Sequence, residues 1–229
     1  MRTAIITGGT GGLGAPVTRR FLDDGWHVVV PWVAEDELGR LDAHPALTLV
    51  HADLFEPAAA EAVVAAASEA DGGSLGAVVN LVGGFAAGER LHATPIADFE
   101  TQLRLNLRPT YLTCQAALPR LLEAGGGAIV CMASRSAVAP FPGGSGYAVA
   151  KAGVLALVDT LAVEYGGDGV RTNAILPSII DTPGNRAAMP DADPSTWVRP
   201  AEIAAMIAHL CGNAATAVNG AHVPMYARA

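Results

Sequence analysis

Short apolar runs rich in β-branched residues alternate with longer helical patterns from one end of this chain to the other. This alternation is typical of a parallel sheet with helices on both faces, because each crossover between parallel strands needs a helix-length connection. We therefore predict a single doubly wound α/β domain of about seven strands over residues 1–229. The sequence contains no internal repeat or interdomain linker that would divide it.

The same patterns predict the individual elements. Strands are predicted at residues 4–6, 27–30, 48–50, 77–79, 128–132 and 174–176, and near residue 223. Helices are predicted at residues 12–24, 57–69, 96–122, 147–165 and 201–210. Residues 181–200 are rich in Pro, Asp and Ala without clear periodicity, and we interpret them as a short mobile flap.

Composition and charge narrow the function classes. The formal net charge of −8 repels polyanions, and no basic stripe with interleaved aromatic residues is present, so nucleic acid is not an expected partner. No apolar run reaches the roughly 18 residues of a membrane span, and no signal peptide is recognised. We expect a cytoplasmic protein that does not bind a membrane.

The cysteines and histidines do not predict a metal site. The three cysteines are widely spaced without a C-x-x-C motif, and the six histidines are scattered singly. Buried free thiols are the simpler interpretation, and we predict no metal.

A glycine-rich segment follows the first predicted strand. Gly8, Gly12 and Gly14 permit a tight turn and close approach of the backbone to a phosphate, while the next helix directs its free N–H groups at the anion. A glycine-rich turn without a ligand is the alternative, and this segment alone does not decide between them.

Tyr147 and Lys151 open a long Ala-rich segment and lie four residues apart, so they share one helix face. A nearby ammonium favours the phenolate, which would make the phenol usable in proton transfer near neutral pH, although a surface stacking pair is the alternative. Ser134 follows the predicted strand 128–132 at the edge where ligands bind in open α/β sheets, and its hydroxyl could orient a substrate carbonyl. Ser136 is a rival for that role.

Asn106 lies inside a predicted helix, where Asn is a poor helix former, and Pro109 follows it closely. Proline frees the carbonyl of Leu105 from its usual bond, so a kink is expected near Asn106.

Together these segments resemble the short-chain dehydrogenase/reductase family over essentially the whole chain. The matching residues are T-G-x-x-x-G-x-G at 7–14 and then Asn106, Ser134, Tyr147 and Lys151 in order. Residues 80–83 and 173–178 are similar to the family's N-N-A-G and N-x-x-x-P-G segments, with departures at Leu81, Val82 and Ser178. Residues 83–85 and 223–226 are faintly similar to dihydropteridine-reductase-like members.

The resemblance implies a Rossmann fold that binds NAD or NADP. It implies that Tyr147 is the general acid/base, that Lys151 holds the nicotinamide ribose and lowers the phenol pKa, and that Asn106 holds a proton-relay water. Thr182 would bind the nicotinamide carboxamide. The implied cofactor contacts are Thr7, Gly8, Gly12, Leu13, Gly14, Asp53, Leu54, Asn80, Gly83, Tyr147, Lys151, Pro177 and Thr182.

The choice between NAD and NADP depends on the end of the second strand, where an acid reads the ribose hydroxyl of NAD and a base accepts the phosphate of NADP. Neither stands at that position. Glu35, Asp36 and Glu37 follow, and no cation appears before Arg40, so we favour NAD.

We predict an oxidoreductase that transfers hydride between nicotinamide and a carbonyl or alcohol substrate. The alternatives are reduction of a C=N bond or a quinonoid pterin, and a redox-neutral or nucleotide-sensing family member. The short flap predicts an open site for a ring-sized or varied carbonyl compound. Its candidate lining residues are Gly83, Gly84, Phe85, Arg135, Phe141, Met189 and Trp197.

The resemblance also implies a homo-oligomer, either a tetramer or a dimer, formed through the long helices at residues 96–122 and 147–165. Small side chains on the second of these helices permit close helix packing, although a buried core face explains them equally well.

Overall fold

A computed structural model describes residues 2–70 and 73–227, and seven parallel strands form one sheet in it. The strands are β1 (Arg2–Thr7), β2 (His27–Trp32), β3 (Leu47–His51), β4 (Ser74–Asn80), β5 (Gly127–Met132), β6 (Val170–Pro177) and β7 (His222–Met225). Their order in the sheet is β3-β2-β1-β4-β5-β6-β7. The doubly wound parallel sheet is confirmed, and every predicted strand lies in an observed one.

Helices cover both faces of this sheet. They are α1 (Gly14–Asp23), α2 (Pro57–Glu69), α3 (Ile96–Asn106), α4 (Arg108–Glu123), α5 (Ser145–Tyr165), α6 (Pro183–Ala188) and α7 (Pro200–Cys211). Neighbouring strand residues point to opposite faces. Ile5 therefore packs in the core with α2, α4 and α5, whereas Ala4 and Ile6 pack with α1 and α7.

The helix predicted at 96–122 is wrong as a single element, because the structure has two helices there. α3 ends at Asn106 and α4 begins at Arg108, with Leu107 between them at φ −114° and ψ −44°. Pro109 has no N–H to bond the Leu105 carbonyl, and its ring crowds that carbonyl. The kink expected near Asn106 is therefore present as a complete break.

The flap at 181–200 contains structure that the sequence patterns did not predict. α6 begins after Thr182, whose Oγ1 accepts a hydrogen bond from the Asn185 N–H at 3.2 Å. Pro194–Thr196 forms a 3₁₀ turn, and Val198 then returns to pair with Ile180. These elements are too short to carry a helical periodicity, so only their capping residues could have indicated them.

α5 is long and apolar enough to span a membrane by length and composition alone. In the fold it packs against α3 and β6 and contributes Val154 and Val158 to the core, as an apolar helix covering a sheet does.

The connections place a crevice at one edge of the sheet. From β1 the chain winds outward through β2 to β3, then returns to β4 on the other side of β1. The carboxyl ends of β1 and β4 are therefore the point at which the winding reverses, where open α/β sheets bind their ligands.

Candidate active site

The glycine-rich turn between β1 and α1 leaves no room for side chains. A Cβ on Gly14 would collide with the Gly8 carbonyl oxygen, and Gly8 itself has a φ of +66°, a left-handed conformation that favours glycine. The turn is thus a cradle of bare backbone at the N-terminus of α1, and such a cradle fits the pyrophosphate of a dinucleotide.

Sequence reasoning missed Gly9, which is packed more tightly than the predicted Gly12. A Cβ on Gly9 would lie 2.8 Å from Val30 Cγ1, whereas one on Gly12 would lie 3.3 Å from Thr182 Cβ. The Thr18 hydroxyl donates to the Gly9 carbonyl at 3.1 Å, which ties the turn to α1. The sequence signal that could have pointed to Gly9 was Thr18, a polar residue on the buried face of α1.

Two adjoining cavities lie along the carboxyl edge of the sheet. The first has a volume of about 410 Å³ and runs from the glycine-rich turn to the ends of β2 and β3. The second has a volume of about 620 Å³ and lies at the ends of β5 and β6. Leu13, Leu81 and Gly83 line both cavities, so the two form one groove.

Most of the residues predicted to contact the cofactor line this groove. Those in the first cavity are Gly8, Gly12, Leu13, Gly14, Asp53, Leu54 and Gly83. Those in the second are Leu13, Gly83, Tyr147, Lys151, Pro177 and Thr182.

Thr7 and Asn80 are the exceptions, because neither lines the groove. The Thr7 hydroxyl accepts a hydrogen bond from the Leu81 N–H at 3.1 Å and so holds β4 to β1. The Asn80 amide nitrogen lies 3.3 Å from Cys114 Sγ and 3.7 Å from Cys131 Sγ, beneath the groove. Their side chains support its floor.

Ser134, Tyr147 and Lys151 meet in the second cavity. Ser134 and Tyr147 line this cavity together, and Ser134 Oγ accepts the Ser136 N–H at 3.1 Å. Lys151 Nζ donates to the Met132 carbonyl at 2.9 Å and lies 5.8 Å from the centre of the Tyr147 ring. Ser136 contributes its backbone to this arrangement, which favours Ser134 over its rival.

Burial dominates the protonation of this cluster. Burial raises the pKa of the Tyr147 phenol above its ordinary value, and the nearby Ser134 hydroxyl opposes that shift. Burial lowers the pKa of Lys151 from 10.5 to about 8, with an opposing effect from Cys131. Lys151 is desolvated and bound to a backbone carbonyl, and its effect on the phenol pKa remains a prediction. The phenol stays protonated at neutral pH.

Asn106 is fully buried at the end of α3, and its side chain is committed to the protein. Its Oδ1 accepts the Gly84 N–H at 3.1 Å, and its Nδ2 donates to the Gln102 carbonyl at 3.2 Å. A Cβ on Gly83 would lie 2.7 Å from that Oδ1 and 3.1 Å from Lys151 Nζ. Asn106 thus fixes the segment after β4 directly against the lysine.

Aromatic rings form one wall of the second cavity. Phe85 meets Tyr147 edge-on with ring centres 5.1 Å apart, and it lies 5.9 Å from the Phe141 ring. Six of the seven predicted lining residues are present, namely Gly83, Gly84, Phe85, Arg135, Phe141 and Met189. The prediction for Trp197 is wrong, because its side chain turns inward and is only 5% exposed.

A polar cluster stands at the other end of the groove, beside the ends of β2 and β3. The Thr10 hydroxyl donates to the Glu37 carboxylate at 2.9 Å. Arg40 bonds that carboxylate at 2.7 Å and the Thr10 carbonyl at 3.2 Å. Glu37, on the segment after β2, lines the first cavity.

The cysteines are free and buried, as predicted. Within residues 2–70 and 73–227, no group of three or more histidine, cysteine or acidic side chains is arranged to hold a metal ion.

The sequence profile of a family described as enoyl-(acyl carrier protein) reductase matches residues 8–225. This chain belongs to the short-chain dehydrogenase/reductase family. The resemblance of the motifs is thereby confirmed, and the enzyme is an NAD(P)-dependent oxidoreductase. The bare glycine cradle and the lining of the groove fit that cofactor.

Two curated relatives match this dehydrogenase/reductase over nearly their whole length. The 2-(R)-hydroxypropyl-CoM dehydrogenase of Xanthobacter autotrophicus is 34% identical over 98% of this chain and 96% of its own. The cis-4-hydroxycyclohexanecarboxylate dehydrogenase of Sinomonas cyclohexanicum is 33% identical over 96% and 93%.

Among solved structures, a 3-ketoacyl-(acyl-carrier-protein) reductase from Brucella melitensis complexed with NADH superposes with a TM-score of 0.87. It is 25% identical, and the match covers 99% of this chain and 98% of that one.

Proposed function

We propose that this enzyme interconverts a small ketone and its secondary alcohol, with Tyr147 as the general acid and base. The observation that carries the proposal is that Tyr147 and Ser134 meet in the second cavity, with Lys151 buried beside them. The nicotinamide supplies or accepts the hydride when the cofactor is bound. The remaining chemistry is the transfer of one proton, for which Tyr147 Oη is the donor in reduction and the acceptor in oxidation.

Ser134 orients the substrate. Ser134 Oγ accepts the Ser136 N–H and lines the second cavity, and its own O–H can rotate to donate to a substrate oxygen that lies there. The same oxygen receives the proton of Tyr147. Both donors then act on one atom, which polarises the carbonyl during reduction.

The groove divides the cofactor between its two cavities. The glycine-rich turn holds the pyrophosphate, and Asp53 with Leu54 borders the adenine. Lys151, Pro177 and Thr182 line the second cavity and would hold the nicotinamide end. Asn106 acts as a positioning residue, since it fixes the Gly83–Gly84 backbone beside Lys151.

The test is reduction of a ketone panel, followed by loss of the near-ultraviolet absorbance of reduced nicotinamide. The panel contains cyclic ketones, a quinonoid pterin, a cyclic imine and a 3-ketoacyl thioester of an acyl carrier protein. Turnover of the cyclic ketones that is lost in Tyr147→Phe is the expected result. Tight binding of the dinucleotide without turnover of any compound would contradict the proposal.

A ring-sized substrate is part of the proposal. It is supported by the aromatic wall of Phe85 and Phe141 and by a relative named for a hydroxycyclohexanecarboxylate. The flap is short, and Met189 is the large apolar side chain that it contributes to the cavity lining. A long acyl chain would therefore find little apolar surface to cover it, so we expect the thioester to be the poorer substrate.

We also propose that NAD is the preferred cofactor. Glu37 places a carboxylate in the first cavity, where it repels a 2′-phosphate, while Arg40 is already paired with that carboxylate. We expect kcat/KM for NADH to exceed that for NADPH by about tenfold or more. Glu37→Gln should lower this NADH-to-NADPH ratio, because it removes the carboxylate that is paired with Arg40.

Glu35→Gln is the matched control, since this acid is exposed on the same segment and does not line the cavity. A preference for NADPH in the wild type, or an unchanged ratio in Glu37→Gln, would contradict the assignment.

A homo-oligomer, tetrameric or dimeric, completes the proposal. The outer face of α3, α4 and α5 carries an open groove of about 860 Å³ lined by Leu103, Leu107, Tyr111 and Leu157, with Gly153 at its base. Tyr111 is 50% exposed there, which is a large aromatic surface to leave in water. Sedimentation should give a multiple of the 23.3 kDa chain mass, and a monomer mass would refute the proposal.

A further inference from the structure

The charges in the second cavity are one-sided. Among the described residues, its lining includes two cationic side chains, Lys151 and Arg135, and no aspartate or glutamate. The whole chain, in contrast, has a net charge of −8 with 22 acidic residues. A cavity with a cationic lining attracts an anion, although the protein as a whole is acidic.

Lys151 is not available to such an anion. It is 4% exposed, and its Nζ is bound to the Met132 carbonyl beneath the phenol. Its place in the proposed reaction is beside Tyr147 and the cofactor. The remaining cation of the cavity is therefore Arg135.

Arg135 lacks the carboxylate partner that many arginines of this chain have. Five others form ion pairs with acids, namely Arg20, Arg40, Arg120, Arg186 and Arg199. Among the interactions of the described residues, the Arg135 guanidinium has only a stacking contact with the Tyr226 ring, 5.2 Å from its centre. Within the described part of the chain, no acidic side chain therefore compensates the positive charge of this guanidinium.

The contact with Tyr226 places the guanidinium over an aromatic ring. A cation–π contact uses none of the five N–H donors of an arginine in a hydrogen bond, so they remain available to a ligand. Tyr226 is itself anchored, because its carbonyl accepts the Ser178 hydroxyl at 2.9 Å. A guanidinium with available donors suits two parallel hydrogen bonds to a carboxylate or sulfonate.

Arg135 follows Ser134 directly in the chain, so the two Cα atoms are about 3.8 Å apart. The carbonyl that Ser134 orients and the anion that Arg135 binds can then belong to one small molecule. We infer that the substrate is a ring-sized ketone or alcohol that carries a carboxylate or sulfonate, and that Arg135 selects it. This inference rests on the proposed ketone–alcohol function.

The experiment compares two probes of the same shape, 4-oxocyclohexanecarboxylate and its neutral primary amide. We expect kcat/KM of the wild type to favour the carboxylate by about 10- to 100-fold, the size of a hydrogen-bonded charge interaction. Arg135→Gln should remove most of this ratio. Arg135→Lys should keep part of it, since it retains the charge without the planar fork.

Arg2→Gln is the matched control. Arg2 also stacks on an aromatic ring, with its guanidinium 4.2 Å from the centre of the Trp26 ring, but it does not line the cavity. The carboxylate-to-amide ratio of Arg2→Gln should equal that of the wild type. High salt should lower the wild-type ratio, which tests the charge effect without any substitution.

Each other outcome has a definite meaning. Equal turnover of carboxylate and amide by the wild type overturns the inference and leaves the ketone–alcohol function standing. A ratio that persists in Arg135→Gln overturns the assignment to Arg135. If Arg135→Gln only raises the KM for the dinucleotide, Arg135 serves the cofactor, and the inference is also overturned. If the enzyme reduces no ketone and oxidises no alcohol, the proposed function itself is refuted.

Discussion

Tyr147→Phe is expected to lower kcat/KM for ketone reduction by about 10²- to 10⁴-fold, the usual contribution of a general acid. The variant loses one hydroxyl beside Ser134, while the ring keeps its edge contact with Phe85. Binding of the dinucleotide should change little, and titration of the cofactor with the variant checks this.

Tyr165→Phe is the control for this substitution. Tyr165 ends α5 and packs against the core away from the groove, so the same chemical change there should leave turnover intact. Retention of more than about a tenth of the activity in Tyr147→Phe would show that another group supplies the proton.

The proton transfer should also depend on pH in a set direction. Burial raises the pKa of Tyr147, so the phenol is protonated at neutral pH and is ready to donate during reduction. Oxidation needs the phenolate to accept a proton. The rate of alcohol oxidation should therefore rise with pH through neutrality, and a pH–rate profile that is flat there would contradict this account.

Lys151→Met is expected to inactivate the enzyme and stabilise the fold. Burial lowers the pKa of Lys151 to about 8 from 10.5, a gap worth about 3 kcal/mol against the charged form. The variant removes that penalty but leaves the Met132 carbonyl without its partner, at a cost of about 1–2 kcal/mol. We expect a net gain of about 1–2 kcal/mol at pH 7, seen as a rise in Tm of roughly 2–8 °C.

The pH dependence separates this effect from a general gain in packing. Between pH 8 and 10.5 the unfolded chain binds more protons at Lys151 than the folded chain does, so wild-type stability rises with pH. The advantage of the Met variant should therefore shrink over that interval. Lys151 is the single lysine of the sequence, so no other lysine contributes to the difference. A constant Tm gap from pH 7 to 10 would contradict the buried-charge account.

The convergence of the site followed from local patterns and one topological rule. The glycine-rich turn and Ser134 each come directly after a strand, and parallel strands end at the same edge of a sheet. Tyr147 and Lys151 share a helix face by their spacing. None of these inferences needed a contact between distant segments, which is why the sequence patterns sufficed for them.

Other features of the site depended on packing between distant segments. The Asn80 amide nitrogen lies 3.3 Å from Cys114 Sγ of α4, which is 34 residues further along the chain. Trp197 was assigned to the cavity, but the pairing of Val198 with Ile180 turns this part of the flap inward. Nothing in the local sequence sets the direction of either side chain.

The groups that can carry out the chemistry, and their order along the chain, follow from residue types and spacing, because strand and helix periods are local properties. The protonation states of these groups and the residues they contact do not follow from residue types and spacing. Burial, which sums atoms from many segments, keeps the Tyr147 phenol protonated and partly discharges Lys151. The chain's return to Tyr226 after β7 likewise leaves Arg135 stacked and without an acid, so the free charge in the cavity is a product of the fold.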